Sequence, residues 1–281
     1  MGFSRFILAA AACGAIAALA GQGARAAEVE SPPRLKWSFA GPFGRFDEAQ
    51  LQRGFKVYRE VCSTCHGLGL LSFRNLADPE GLGYSPQQAA AVAAEYQFKE
   101  INDRGREVQR PGRPADNFPP PFANEQIARL SNNGTLPPDF SVIAKARTYE
   151  RGFPWFVLDM FTQYQEQGVD YLVALMKGYE EPPKDFTLPQ GSSYNKFFPA
   201  HSIGMPPPLA DGRVEYTDGS PETLDQYAKD VAAFLMWAAE PHLEARKRIG
   251  FQVMVFLIVF AGLLYFTKKK VWRAVATGGH A

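Results

Sequence analysis

The sequence predicts a mostly α protein: one domain with long irregular loops, followed by a single C-terminal transmembrane helix. Three observations carry that expectation. Apolar residues recur at helical spacing in several stretches, 22 prolines and 25 glycines interrupt the intervals between them, and an unbroken apolar run stands near the end. With 281 residues, 46% of them hydrophobic, the chain can bury one substantial core.

The elements follow in chain order. MGFSRFILAAAACGAIAALAGQGARA has an arginine-bearing start, an apolar run from Phe6 to about Ala20 and a small-x-small site at Ala24-Arg25-Ala26. This is the pattern of a secretory signal peptide over residues 1–26. A lipobox ending at Cys13 is the rival, but Ala10 suits its first position poorly and little apolar chain precedes the cysteine. With the leader removed, Cys62 and Cys65 are the two thiols that stay in the chain, too few for a disulfide scaffold.

Residues 27–245 read as the exported domain. In DEAQLQRGFKVYREVC, Asp47 is a good N-cap, and Leu51, Phe55, Tyr58 and Cys62 share one helical face. Residues 87–91 predict a short helix, and N-D-R-G-R-E-V-Q-R-P-G-R-P reads as surface loop. Tyr171 to Met176 predict a helix stopped by Pro182-Pro183. Ser220-Pro221 supply an N-cap and first-turn proline for a helix with Leu224, Tyr227, Val231 and Ala238 on one face, broken at Pro241.

The anchor is placed at residues 246–270. Its apolar core, Ile249 to Phe266, has only Gln252 as a polar residue and lies between Arg246-Lys247-Arg248 and Lys268-Lys269-Lys270. Eighteen helical residues reach about 27 Å, enough for a hydrocarbon core of about 30 Å when flanking cations snorkel. The signal peptide orients the span: the domain lies in the periplasm, the anchor in a bacterial inner membrane and residues 271–281 in the cytoplasm.

Between Glu28 and Glu244 stand all 29 acidic residues against 21 basic ones, a formal charge of −8. This balance argues against nucleic acid as a partner and suits a basic protein arriving by electrostatic steering. Solubility is the plainer explanation of the same charge.

The chemistry concentrates in V-C-S-T-C-H-G, residues 61–67. A thioredoxin-type dithiol opens a helix, whereas this pair closes one. A zinc site needs further Cys or His at ligand spacing, and His201, His242 and His280 are isolated from one another. C-x-x-C-H is instead the attachment sequence of haem c: two thiols and an imidazole on one helical turn reach two vinyl groups and the iron from the same side.

The iron's remaining position separates an electron carrier from a gas- or peroxide-binding site. Met160, Met176 and Met236 stand in helix-like apolar stretches, where packing is the default role. Met205 lies in H-S-I-G-M-P-P-P-L, where a glycine permits close approach and three prolines stiffen the chain. On residues alone Met205, His201 and an open position all remain candidates.

The stretches RGFKVYREVCSTCHGL, LSNNGTLPPDFSVIAKAR, GYEEPP, HSIGMPPPL and YAKDVAAFLMWAAEPHLEARKRIG, in that order before a terminal anchor, resemble the cytochrome c1 family, from about Phe43 to Trp272. The resemblance implies a class I cytochrome c-like haem domain within quinol:cytochrome c reductase. It implies one haem c on Cys62 and Cys65, His66 and Met205 as axial ligands, Arg147 against a haem propionate and Pro137-Pro138 as crevice wall. Tyr194, Phe197 and Phe198 become candidates to line the haem. The implied partners are cytochrome b, a Rieske iron-sulfur subunit and a periplasmic cytochrome c as acceptor, in a dimeric complex of a respiratory or photosynthetic chain. The implied role is one-electron transfer, with no substrate bond made or broken in this chain. Glu180, Glu181, Asp211, Glu215 and Asp218 are candidates for the docking rim. The sequence departs from several family members in lacking a second cysteine pair, so any loop those members tie by a disulfide must here be held by packing or be shorter.

Overall fold

A computed structural model describes residues 30–149, 152–162 and 164–273. The expected leader at 1–26, Cys13, His280 and the end of the tail lie outside the described residues, as does the side chain of Met160.

The described residues are mostly helical: α1 (Glu48–Glu60), α2 (Pro86–Ala94), α3 (Glu125–Ser131), α4 (Ile143–Ala146), α5 (Trp155–Thr162), α6 (Gln167–Lys177), α7 (Leu224–Ala239) and α8 (Leu243–Val271). Two antiparallel hairpins complete the set: β1 (Gln97–Ile101) with β2 (Glu107–Pro111), and β3 (Ser193–Tyr194) with β4 (Ser202–Ile203).

The core forms around α7, whose Tyr227, Phe234, Leu235, Met236 and Trp237 are fully buried. α1 starts where Asp47 Oδ1 accepts from Gln50 N at 3.1 Å and buries Leu51, Phe55, Val57 and Tyr58 against α7. The two helices nearly touch at Gly54, where an added Cβ would stand 2.0 Å from the Asp230 carbonyl oxygen, so no larger residue fits the crossing. The Asp230 carboxylate is completely buried at this crossing. Arg53 Nε (2.9 Å), Gln50 Nε2 (3.2 Å), Gln226 Nε2 (2.9 Å) and the Tyr216 hydroxyl (3.0 Å) all donate to it, which is what makes a buried charge tolerable. A second carboxylate, Asp170 on α6, ties the N-terminal segment down by accepting from Leu35 N (3.2 Å), Trp37 Nε1 (2.8 Å) and the Tyr164 hydroxyl.

Two expectations need correction. Five residues of the predicted loop at 102–114 are strand: Glu107–Pro111 pairs with Gln97–Ile101, and the Asn102 carboxamide closes the turn by accepting from Arg104 N and Arg106 N, each at 3.0 Å. Both strands are largely exposed, so no apolar alternation marks them. Cross-strand ion pairs such as Lys99–Glu107 (2.8 Å) and Glu100–Arg110 (3.1 Å) take the place of burial. The second correction concerns α7, which is capped by Thr223 rather than Ser220. Ser220 N and Oγ are both spent on Asp218, each at 3.0 Å, while Asp211 Oδ1 takes Leu224 N at 2.7 Å.

α8 is 29 residues long, about 44 Å at helical rise, with its apolar run exposed throughout apart from Gly262. Its first two turns are stitched to the domain. Glu244 Oε1 accepts from Phe46 N (2.9 Å), Glu80 Oε2 accepts from Ala245 N (2.8 Å), Lys247 donates to the Phe39 carbonyl, and Leu243 is buried.

Candidate functional site

α1 ends at Val61, and the chain tightens at once into a 3-10 turn over Cys62–Thr64. Cys65 N and His66 N both donate to the Cys62 carbonyl, at 3.1 and 2.9 Å, so the two thiols and the imidazole leave one compact turn. Cys62 is buried and Cys65 half-buried, both as free thiols. Burial pushes the Cys62 thiol up to about 12, so it stays protonated at neutral pH.

The His66 ring is buried and lies 3.9 Å from the Phe140 ring at an interplanar angle of 14°. Its Nδ1 stands 2.8 Å from the Pro138 carbonyl oxygen. A carbonyl can only accept, so Nδ1 carries the proton and Nε2 is left with its lone pair. Burial lowers the imidazole below the ordinary histidine range, although the Pro138 bond and nearby Asp139 pull the other way. The ring is therefore neutral at pH 7, the form that ligates a metal.

The segment that carries Pro138 is clamped to the loop after His66. Phe140 N donates to Gly67 O (2.8 Å), Gly69 N to Asp139 Oδ2 (2.8 Å), and Leu70 N to Ser141 Oγ (3.0 Å). Tyr58 in α1 secures the other flank by donating to the His66 carbonyl at 2.9 Å.

Met205 belongs to a separate small cluster. It packs, half-buried, against Tyr171, Leu175 and Ile203, and its carbonyl accepts from the Tyr179 hydroxyl at 3.1 Å. The two regions meet through the same proline segment: an added Cβ on Gly204 would lie 2.4 Å from Thr135 Cγ2. Residues 135–138 thus run from the methionine loop to the histidine. Ile127, Leu130, Leu136 and Val142, on or beside this segment, present exposed apolar surface.

Other expected residues separate by position. Arg147 is exposed at the C-cap of α4, and its charge acts on the Tyr171 hydroxyl, placing it on the Met205 side. Pro137 is half-buried, and the bond to His66 comes from its neighbour Pro138. Tyr194 stacks on His201 at 5.4 Å, Phe197 is buried, and Phe198 packs beside Met205. His201 Nδ1 is 3.3 Å from Asn195 O. Of the acidic residues singled out, Asp211 and Asp218 are occupied locally by Leu224 N and by Arg53 with Ser220. Sequence reasoning missed Tyr58, Asp139, Phe140, Ser141 and Tyr179. Asp139 and Phe140 stand inside the quoted LPPDF stretch, but nothing in it states which backbone they clamp.

The donor set suits a haem. Two thiols and one neutral imidazole nitrogen leave a single turn, and the loop that carries the Met205 thioether meets the same proline segment through Gly204 and Thr135. Among the described residues, no group of three or more His, Cys, Asp or Glu could hold a bare metal ion.

The model of the Cytochrome C1 family matches residues 37–275. Cytochrome c1 of Blastochloris viridis is 55% identical over 257 residues, covering 91% of each chain. The mitochondrial cytochrome c1 haem protein of Saccharomyces cerevisiae is 40% identical over 247 residues, 87% of this chain and 73% of that one. Cytochrome b/c1 of Bradyrhizobium diazoefficiens is 63% identical over 254 residues, 89% of this chain but 37% of that longer protein, so the chain spans little more than a third of this relative. A single-turn Cys-Cys-His donor set, a terminal apolar helix and a match over most of the sequence lead to one conclusion: the chain belongs to the Cytochrome C1 family.

Proposed function

We propose that this chain is the haem-bearing electron-transfer subunit of a quinol:cytochrome c reductase. It takes single electrons from a Rieske iron-sulfur protein and gives them to a periplasmic cytochrome c. By itself it is a carrier, and the enzymatic reaction belongs to the complex with cytochrome b, which we take to be dimeric. The observation that carries the reading is the His66 imidazole, whose Nδ1 is occupied by Pro138 O and whose Nε2 is free to ligate.

Cys62 and Cys65 hold the haem by thioether bonds, His66 Nε2 and Met205 Sδ ligate its iron, Arg147 meets a propionate, and Pro137 stands in the crevice wall. When bound, the haem supplies a one-electron couple, raised by methionine ligation and by exclusion of water. The protein's part is to keep His66 neutral and oriented, to hold Met205 on the far wall and to close both positions to outside ligands. The domain is exported and α8 anchors it in the inner membrane, with the short tail on the cytoplasmic side; we assign residues 1–26, 27–245, 246–270 and 271–281 to leader, domain, anchor and tail.

Copurification from membranes and a Met205→Leu variant test the reading together. The expected result is a haem-stained band of this size travelling with a two-haem cytochrome b and a Rieske protein. In the variant, the long-wavelength sulfur-to-iron absorption should be lost, the midpoint potential should fall and carbon monoxide should bind the reduced form. An unchanged spectrum and potential in the variant would remove Met205 as a ligand.

A further inference from the structure

A cavity of about 780 Å³ opens where the domain meets α8. Its walls come from the loop at Phe43–Arg45, the turn at Asp78–Glu80 and the first turns of α8 down to Gln252. Phe251 and Gln252 belong to the apolar run, so the cavity straddles the level at which a span passes from hydrocarbon to head groups. This placement rests on reading α8 as a membrane span.

The charges lining the cavity are unequally engaged. Its three carboxylates each hold structure: Asp78 accepts from Asn75 Nδ2 (2.9 Å), Glu80 from Ala245 N (2.8 Å) and Glu244 from Phe46 N (2.9 Å). Lys247 is spent on the Phe39 carbonyl. The two guanidiniums are not spent in this way. Arg45 Nε is 3.9 Å from Glu244 and Arg248 3.6 Å from Glu80, both beyond hydrogen-bond reach, and their side chains are 83% and 67% exposed. A guanidinium offers five donors in a planar fork that matches phosphate oxygens.

Beside these forks lies an apolar floor. Phe43, 73% exposed, meets Phe251 edge to face at 5.4 Å, on the hydrocarbon side of the two arginines. Paired aromatic rings beside exposed guanidiniums, held only by long ion pairs to Glu244 and Glu80, match the two halves of a lipid head region, glycerol and first methylenes against rings, phosphate against guanidinium.

We propose that this neck cavity binds a phospholipid of the leaflet facing the domain, with Arg45 and Arg248 holding its phosphodiester and Phe43 and Phe251 its glycerol end. The chemistry recognised is a phosphate oxygen pair. The apolar floor makes a membrane lipid, rather than free phosphate, the occupant.

The test uses the haem-loaded full chain in its complex, placed in nanodiscs of phosphatidylethanolamine and phosphatidylglycerol, re-extracted in mild detergent and weighed by native mass spectrometry. Phospholipid retained per chain should fall at least about tenfold in Arg45→Gln/Arg248→Gln. It should stay near the parent level in Arg45→Lys/Arg248→Lys, and millimolar inorganic phosphate should displace none of it. An unchanged haem spectrum shows that the Gln pair has folded. Equal retention by the Gln pair overturns the proposal. So does displacement by inorganic phosphate, or a photo-crosslinker at Phe43 that captures only polypeptide. Extraction of the chain by alkaline carbonate would instead defeat the reading of α8 as a span, an outcome separable from lipid loss.

Discussion

The two walls of the candidate site are built to different standards. The His66 wall grows from the end of a 13-residue helix and is fixed by Tyr58 from one side and by Pro138, Asp139, Phe140 and Ser141 from the other. The Met205 wall hangs from two strands of two residues each. Between them, Ala200 (φ 58°) and His201 (φ 54°) occupy the left-handed region, which costs a residue with a side chain about 1 kcal/mol or more. Asn195 organises this wall, its side chain donating to Leu175 O (2.6 Å) and accepting from Phe197 N (3.0 Å). The position proposed for the histidine ligand is thus over-determined, and that proposed for the methionine rests on few contacts. Local opening should begin on the methionine side.

The largest test of this contrast is Phe140→Ala. It removes the ring that faces His66 and should cost about 3–5 kcal/mol in denaturant unfolding, with the imidazole freed to rotate. If the cost were under about 1 kcal/mol, the His66 wall would not be the rigid one. Tyr179→Phe should be milder, about 1 kcal/mol globally, because only the hydroxyl bond to Met205 O goes. Its distinguishing readout is faster hydrogen exchange at residues 202–205 with exchange at 66–70 unchanged. Smallest is the acid response of the ion pair that Arg110 of β2 makes with Asp116. There the Arg110 guanidinium grips Asp116 at 2.6 and 2.8 Å and, with Arg113 N, holds its carboxyl at about 2. A carboxyl lowered on folding contributes stability that is complete above about pH 4 and is lost as pH falls through about 4 to 2. Solvent screening keeps the effect small, so Arg110→Gln should flatten that part of the stability profile and leave the neutral plateau little changed.

How much of this was legible in the sequence follows from what each element depends on. α1, α6, α7 and the apolar run of α8 announce themselves through periodicity or continuous apolarity, because each is defined by what its side chains bury or expose. The hairpin at 97–111 is held by backbone pairing and surface charge, neither of which leaves a pattern of two. The start of α7 was misplaced because several candidate caps lie within four residues, and only the competition of Asp218 and Asp211 for backbone amides decides among them. In the candidate site, the spacing of Cys62, Cys65 and His66 already implies that they leave one turn, as they do. Met205 needed the family resemblance to be preferred over His201. The Pro138 carbonyl could not be read at all, since every residue has one and only the fold selects which faces the imidazole.

The stitching of α8 to the domain has one further consequence. With Phe46, Phe39 and Glu80 all holding its opening turns, the height of His66 above the bilayer is a property of the protein rather than of a slack tether. A carrier mounted in this way cannot travel to meet its neighbours. Any change in electron-tunnelling distance must come from movement of the donor or the acceptor.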